Sequence, residues 1–242
     1  MDFYFSKNWW QFLILAVVCY FIGCFNFAKL ISRLKKKDIT KMGSGNPGTM
    51  NMSREFGIAI GALTFVCDAL KGGVPALISY FIYRKFQFAG TEIPVSDFTR
   101  YLCGVCVVVG HIFPITSKFK GGKGIASTLG LFAITLFCEG PWIGVLGLCC
   151  LTGVLAGIYF TEMGSLSSLS GVTVFCIIQA VVFYRDHMKN GINAYLICMF
   201  AFLLAIVLLT WFAHHKNVLR LLAGEEHRTS IKKMTKKKSR SK

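Results

Sequence analysis

Apolar residues in this chain come in long runs, and the polar residues gather in the intervals between them. An α-helix needs about 20 apolar residues to cross the core of a bilayer. On that measure the pattern predicts membrane spans over residues 9–34, 56–83, 101–115, 124–137, 142–160, 171–184 and 194–213, seven in all. The sixth is the least regular, because Ser165, Ser167, Ser168 and Ser170 give it a polar beginning. Between the first two spans, KMGSGNPGTMNMSREFG has too much glycine, asparagine and proline for a continuous helix. It reads as a loop folding back towards the membrane, where irregular backbone is tolerated only if it is buried in protein or lines a polar cavity. The expected fold class is therefore all-α: a polytopic integral membrane protein with seven transmembrane helices.

Composition agrees with this, since 54% of the 242 residues are hydrophobic, 14% aromatic and only 16% charged. The first apolar run lacks a basic leader and a small-residue cleavage site, so it is expected to be a retained helix. Charge sets the orientation, because short cytoplasmic loops carry the excess of lysine and arginine. One side collects Arg33, Lys35, Lys36, Lys37, Lys41, Arg54, Lys118, Lys120, Lys123 and the basic residues from 216 to the end; the other has Lys7, Arg84, Lys85, Arg100, Arg185 and Lys189. The N-terminus is expected outside and the C-terminus in the cytoplasm, with every unusual polar stretch on the cytoplasmic face. Residues 1–226 form one membrane domain, and 227–242, nearly free of apolar residues, form a disordered basic tail beside anionic lipid. The net charge of +16 would suggest nucleic acid in a soluble protein. Here it is accounted for by membrane lipid as partner, and no RNA-binding motif or aromatic-interleaved basic face accompanies it.

Three places carry candidate chemistry. Residues 110–124, GHIFPITSKFKGGKG, combine flexible backbone with positive charge, the composition that cradles a phosphate. Their spacing does not match the P-loop formula, so nothing points to an ATPase; the competing reading is a basic turn that anchors two helices to anionic lipid. Asp68 and Lys71 stand three residues apart inside a span, hence on one helix face. Charges there are costly and must face the interior, either as a mutually neutralising pair or as substrate ligands. Lys71-Gly72-Gly73 and Pro75 suggest a break or kink nearby. His111, beside Pro114, reads as a structural group before a catalytic one. After the last span, His214, Asn217 and Arg220 recur at three-residue intervals and share a face if the helix continues.

The ten cysteines are scattered through apolar segments, where a thiol behaves as a small hydrophobe. Cys103 and Cys106 form an isolated CxxC that suits packing better than redox or metal chemistry. No metal-ligand spacing recurs, and no cofactor is implied. An acyltransferase using an HxxxxD pair is excluded: Thr116, Ile192, Leu219, Arg220 and Lys232 stand five residues after the five histidines.

Taken in series, Gly43-Ser44-Gly45-Asn46-Pro47-Gly48 with Asn51 and Arg54, then Gly110-His111, Phe113-Pro114 and Phe119-Lys120-Gly121-Gly122-Lys123-Gly124, then His214, Asn217, Arg220, Gly224 and Glu226, resemble the bacterial membrane-integral acyl-phosphate glycerol-3-phosphate acyltransferases. Asp68 and Lys71-Gly72 look like a further signature of that family. The chain departs from the family pattern at Thr49-Met50, where Ala-Thr is usual, and at Cys24-Phe25-Asn26-Phe27, where Ser-Ile-Pro-Phe is usual. The resemblance implies a seven-helix bacterial inner-membrane protein. Its expected reaction moves a fatty acyl group from acyl phosphate to the 1-hydroxyl of glycerol 3-phosphate, releasing phosphate, with the acyl-phosphate-forming enzyme as a possible partner.

The same resemblance implies that Lys120, Gly121, Gly122, Lys123 and Gly124 hold acyl phosphate, while Arg54, Ser44 and Asn51 grip glycerol 3-phosphate and Asn46 belongs to the substrate site. His214 and Asn217 would orient the reacting groups together with Ser44, and Asp68, Lys71 and His111 would complete the substrate site. His214 is a candidate base, since an ordinary histidine titrates near pH 6.5, although a donor phosphate oxygen could take the proton instead. Glu226 is expected to pair with a cation. The competing class is a transporter of an organic phosphate, which would be built from two related halves; none are visible in the sequence.

Overall fold

The computed structural model describes residues 1–188 and 191–226, and these are almost wholly helical. The helices are α1 (Phe5–Cys24), α2 (Phe27–Leu34), α3 (Thr49–Phe56), α4 (Ile58–Tyr83), α5 (Val95–Ile112), α6 (Ile125–Glu139), α7 (Pro141–Thr161), α8 (Gly164–His187), α9 (Ala194–Ala213) and α10 (His215–Leu222). The tail expected at 227–242 lies outside the described residues. Two short strands, β1 (Asp2–Phe3) and β2 (Gln87–Phe88), pair in parallel and tie the N-terminus to the loop after α4.

Six segments among the described residues are long and apolar enough to cross a membrane: Phe5–Leu34, Ile58–Tyr83, Val95–Ser117, Pro141–Thr161, Gly164–His187 and Ala194–Ala213. The expected fourth span is the apolar but shorter α6. The boundaries differ from the sequence reading in informative ways. The first span is not one helix, because Phe25 and Asn26 are extended and Asn26 caps α2, its Oδ1 accepting the Lys29 N–H at 2.9 Å. The polar loop contains α3, which stops at Gly57 with φ 89°, a conformation open mainly to glycine. The expected break near Lys71 is absent, and α4 runs through Pro75. The serines before residue 171 belong to α8, with Ser165 and Ser168 buried.

Without a hydrophobic drive between spans, membrane helices associate through close packing of small residues and hydrogen bonds. Two crossings of this kind place the site. A Cβ on Gly110 would lie 2.1 Å from the Tyr20 carbonyl oxygen, which fixes α5 against α1. One on Gly130 would lie 2.0 Å from the Ala69 carbonyl oxygen, which fixes α6 against α4. Hence the C-terminal end of α5 and the N-terminal end of α6 meet at the same end of the bundle.

The other end is closed by an ionic knot. Arg100, which the charge count placed in an outer loop, is 1% exposed inside α5. Its Nη2 pairs with Asp97 and, at 2.8 Å, with Glu139 Oε1, while Nη1 donates to the Thr135 carbonyl at 3.0 Å. His187 Nε2 lies 3.0 Å from Asp97 Oδ2, and Gln179 donates to Glu139 at 3.3 Å. This joins α5, α6 and α8.

Candidate functional site

At the opposite end, three separate stretches of sequence meet. Lys123 sits just before α6, where the partial positive charge of a helix N-terminus adds to its own. His214 forms the bend between α9 and α10, and Asn217 lies in the first turn of α10. Lys123 Nζ donates to Asn217 Oδ1. The Asn217 amide donates in turn to Ser165 Oγ at 2.7 Å and to Glu226 Oε1 at 2.9 Å, so a single buried asparagine ties the glycine-rich loop to α8 and to the end of the described chain. Ser165 Oγ also donates to Glu226 at 2.5 Å, and Arg220 Nε lies 3.3 Å from Glu226 Oε2. Glu226 therefore pairs with a cation as expected. Against the opposing effect of burial, the donors Ser165, Asn217 and Arg220 hold its carboxyl below the usual range, so it is ionised.

Two groups here have unusual proton affinities. Burial, together with Arg220 and Arg54 nearby, pushes the Lys123 ammonium down to about 8 in spite of Glu226. Burial and the adjacent Lys123 push His214 down to about 4. His214 is 4% exposed and its Nδ1 is 2.8 Å from the Thr210 carbonyl, an acceptor only. The neutral ring therefore carries its proton on Nδ1 and leaves Nε2 free to accept a hydrogen bond.

Arg54 belongs to the same neighbourhood, for its charge reaches both Lys123 and Glu226. It projects from α3, and its Nη2 donates to Ser44 Oγ at 3.4 Å. Asn51 is not a surface ligand. Fully buried, it accepts the Ser44 N–H at 3.1 Å and donates to the Met42 carbonyl at 2.9 Å, which shapes the 43–48 turn from behind. Asn46 lies in that turn, its carbonyl accepting from the Gly48 N–H.

The glycine-rich loop is arranged differently from a phosphate nest. The N–H groups of Gly121 and Gly122 donate to the Ile112 and His111 carbonyls, so the loop folds back onto the end of α5. These glycines are required for the close approach itself: a Cβ at Gly121 would lie 2.0 Å from the His111 carbonyl oxygen, and one at Gly122 2.3 Å from His111 Nε2. Lys120 is exposed and apart from the cluster, and its carbonyl accepts from Lys29 Nζ. Gly124 turns the chain into α6 with φ 81°.

Asp68, Lys71 and His111 form a buried layer behind the loop. Lys71 Nζ pairs with Asp68 at 2.8 Å and donates to the Phe25 carbonyl at 2.7 Å; His111 Nδ1 lies 3.9 Å from Asp68. With its ammonium so engaged, Lys71 is a support, and so is His111. Sequence reasoning missed Ser165, Tyr20 and Lys29. A serine or lysine that acts from a neighbouring helix leaves no motif behind.

Comparison with known proteins now decides the family. The model of the family "Glycerol-3-phosphate acyltransferase" matches residues 13–224. The chain belongs to the glycerol-3-phosphate acyltransferase family. The glycerol-3-phosphate acyltransferase of Mycoplasmopsis pulmonis (strain UAB CTIP) is 33% identical over 220 residues, covering 88% of this chain and 91% of that protein. Glycerol-3-phosphate acyltransferase 2 of Thermotoga maritima is 36% identical over 225 residues, covering 93% and 98%. Among solved structures, PlsY (YgiH), an integral membrane glycerol 3-phosphate acyltransferase in its glycerol 3-phosphate form, superposes with a TM-score of 0.73 at 27% identity, covering 91% of this chain and 96% of that one. Its lysophosphatidic acid form gives 0.70 at 28% identity. Family members are integral membrane acyltransferases of phospholipid biosynthesis, and the buried polar cluster of this chain is its candidate active site.

Proposed function

We propose that this chain transfers a fatty acyl group from acyl phosphate to the 1-hydroxyl of glycerol 3-phosphate, giving 1-acyl-glycerol 3-phosphate (lysophosphatidic acid) and inorganic phosphate. It would do so as a seven-helix protein of the bacterial inner membrane, N-terminus outside, with its site on the cytoplasmic face. The observation that carries this reading is the convergence of Arg54, Lys123 and Arg220 beside the neutral His214 and Asn217 at one end of an apolar bundle. Two phosphorylated substrates need cations at the membrane surface. The solved relative has glycerol 3-phosphate and lysophosphatidic acid forms, which matches the acceptor and product proposed.

The acyl chain can stay in lipid. An open apolar groove lies along the outer face of α1, lined by Val17, Val18, Phe21, Phe25, Phe27 and Lys71, and suits an alkyl tail. The donor is already activated, so no covalent enzyme intermediate is needed. The acceptor oxygen attacks the acyl carbon, the carbon–oxygen bond to phosphate breaks, and the hydroxyl proton leaves with the phosphate. His214, with little affinity for a proton, accepts through Nε2 from the other hydroxyl of glycerol 3-phosphate and so orients the acceptor, while the departing phosphate takes the proton of the 1-hydroxyl. Lys123 and Arg54 stabilise the charge that develops on it. An acyl-phosphate-forming enzyme is the natural supplier of the donor.

Purified protein should release phosphate only when acyl phosphate and glycerol 3-phosphate are both present, and acyl-CoA or acyl-carrier protein should not replace the donor. Uptake of phosphate ester into vesicles without product would instead identify a transporter. His214→Gln should lower kcat about tenfold, the scale of one lost orienting hydrogen bond. The shape of its pH profile between 5 and 8 should stay that of the parent; a parental limb in this range that vanished in the variant would make His214 the base. Because the Lys123 ammonium loses its proton above about 8, the KM for acyl phosphate should rise as the pH passes that value. Lys123→Arg should displace the rise to higher pH, and Lys123→Ala should raise the requirement for acyl phosphate at every pH. An unaltered requirement in the alanine variant would remove Lys123 from the donor site.

A further inference from the structure

The break between α1 and α2 reaches both halves of the candidate site. Asn26 Nδ2 donates to the Pro47 carbonyl at 3.2 Å, inside the 43–48 turn that carries Ser44 in front of Arg54. One helical turn on, Lys29 Nζ donates to the Lys120 carbonyl at 3.0 Å, at the entrance to the glycine-rich loop. The two residues are bonded to one another, since Asn26 Oδ1 accepts the Lys29 N–H. The break is itself well anchored. Lys71 Nζ holds the Phe25 carbonyl, and Tyr20 Oη donates to the Phe113 carbonyl at 3.0 Å while accepting the Ile115 N–H at 3.2 Å. The loop also needs restraint, because Lys118 and Phe119 are consecutive non-glycine residues with positive φ, 52° and 58°. Such residues persist only where their surroundings impose the conformation.

We infer that Asn26 and Lys29 act as a two-handed clasp, a pair of positioning residues that fix the distance between the Arg54 turn and the Lys123 loop and hence the alignment of acceptor with donor. Neither side chain is placed against substrate. The inference rests on the two-substrate reading given under Proposed function.

Asn26→Asp tests one hand selectively, because it keeps the acceptor that caps α2 and removes the donor to Pro47. Lys29→Met tests the other, with Lys29→Arg as the conservative rescue. In the full-length protein each single loss should lower kcat about tenfold with both KM values within about twofold, since misalignment penalises reaction more than binding. Once either hand is released the spacing is lost, so the double variant should be no slower than the slower single one. Losses that multiply to about a hundredfold, or that fall on KM alone, would overturn the clasp. A readout independent of turnover is tryptic cleavage after Lys118 or Lys120, which should speed up in Lys29→Met and return to the parental rate in Lys29→Arg; equal rates in all three would also overturn it. Should the parent protein fail to turn over while the tryptic contrast holds, the assigned reaction falls and the clasp stands.

Discussion

Asn217→Leu should retain a folded bundle and lose two to three orders of magnitude in kcat, roughly 2.7 to 4 kcal/mol of transition-state stabilisation. The size of the loss follows from how many groups this amide serves. Its oxygen holds Lys123, and its nitrogen serves Ser165 and Glu226 together. Leucine fills the volume but removes the acceptor of Lys123 and the donor to Ser165 and Glu226, freeing Lys123 to fall back on Glu226, whose charge already reaches it. The cation proposed to hold phosphate would then be neutralised from within. Asn217→Asp separates the two causes. It keeps an acceptor for Lys123 but sets a second negative charge against Glu226, so it should recover donor binding before turnover. Steady-state kinetics with each substrate varied, on protein that elutes as one species, would measure both. An Asn217→Leu variant within tenfold of the parent would mean that Lys123 is positioned by other means.

The second large effect is on stability, far from the chemistry. Arg100→Met leaves Asp97 and Glu139 buried without their shared cation, and breaking such a pair from one side costs about 3–5 kcal/mol. The melting temperature in detergent should fall steeply, or folded protein should be lost altogether. Replacing Asp97, Arg100 and Glu139 together by apolar residues of similar size should recover most of the stability, because the cost comes from the orphaned charges. Failure of the triple replacement to recover would mean that the knot specifies how α5, α6 and α8 come together, a role that apolar residues cannot take over.

Much of this architecture could be read from the sequence, because a bilayer imposes a length on every apolar run. The membrane class followed from that constraint, and the three polar stretches flagged as chemical do converge. Helix ends were harder. The expected third span begins at residue 101 and leaves Arg100 outside it, whereas α5 begins at Val95 and takes in Asp97 and Arg100, which neutralise each other. The start of α8 differs for a similar reason, since Ser165 donates to Glu226 and accepts from Asn217 inside the bundle. Spacing revealed that Asp68 and Lys71 share a face but could not tell whether the lysine was spent on Asp68 and Phe25 or free for substrate. Nor could composition show that the amides of Gly121 and Gly122 were already engaged. That depends on where α5 ends, and it took coordinates to see it.

The brevity of α6 has a consequence of its own. Fifteen residues rise about 22 Å, several ångströms short of the roughly 30 Å hydrocarbon slab. Its far end is tied into the Arg100 knot, so a bilayer that holds that knot at one surface would leave the near end, where Lys123 waits, recessed below the headgroups of the other. On the reading proposed above, a water-borne acceptor would descend to meet a donor whose tail stays in the oil, and the depth of that well would keep bulk water from competing for the acyl group.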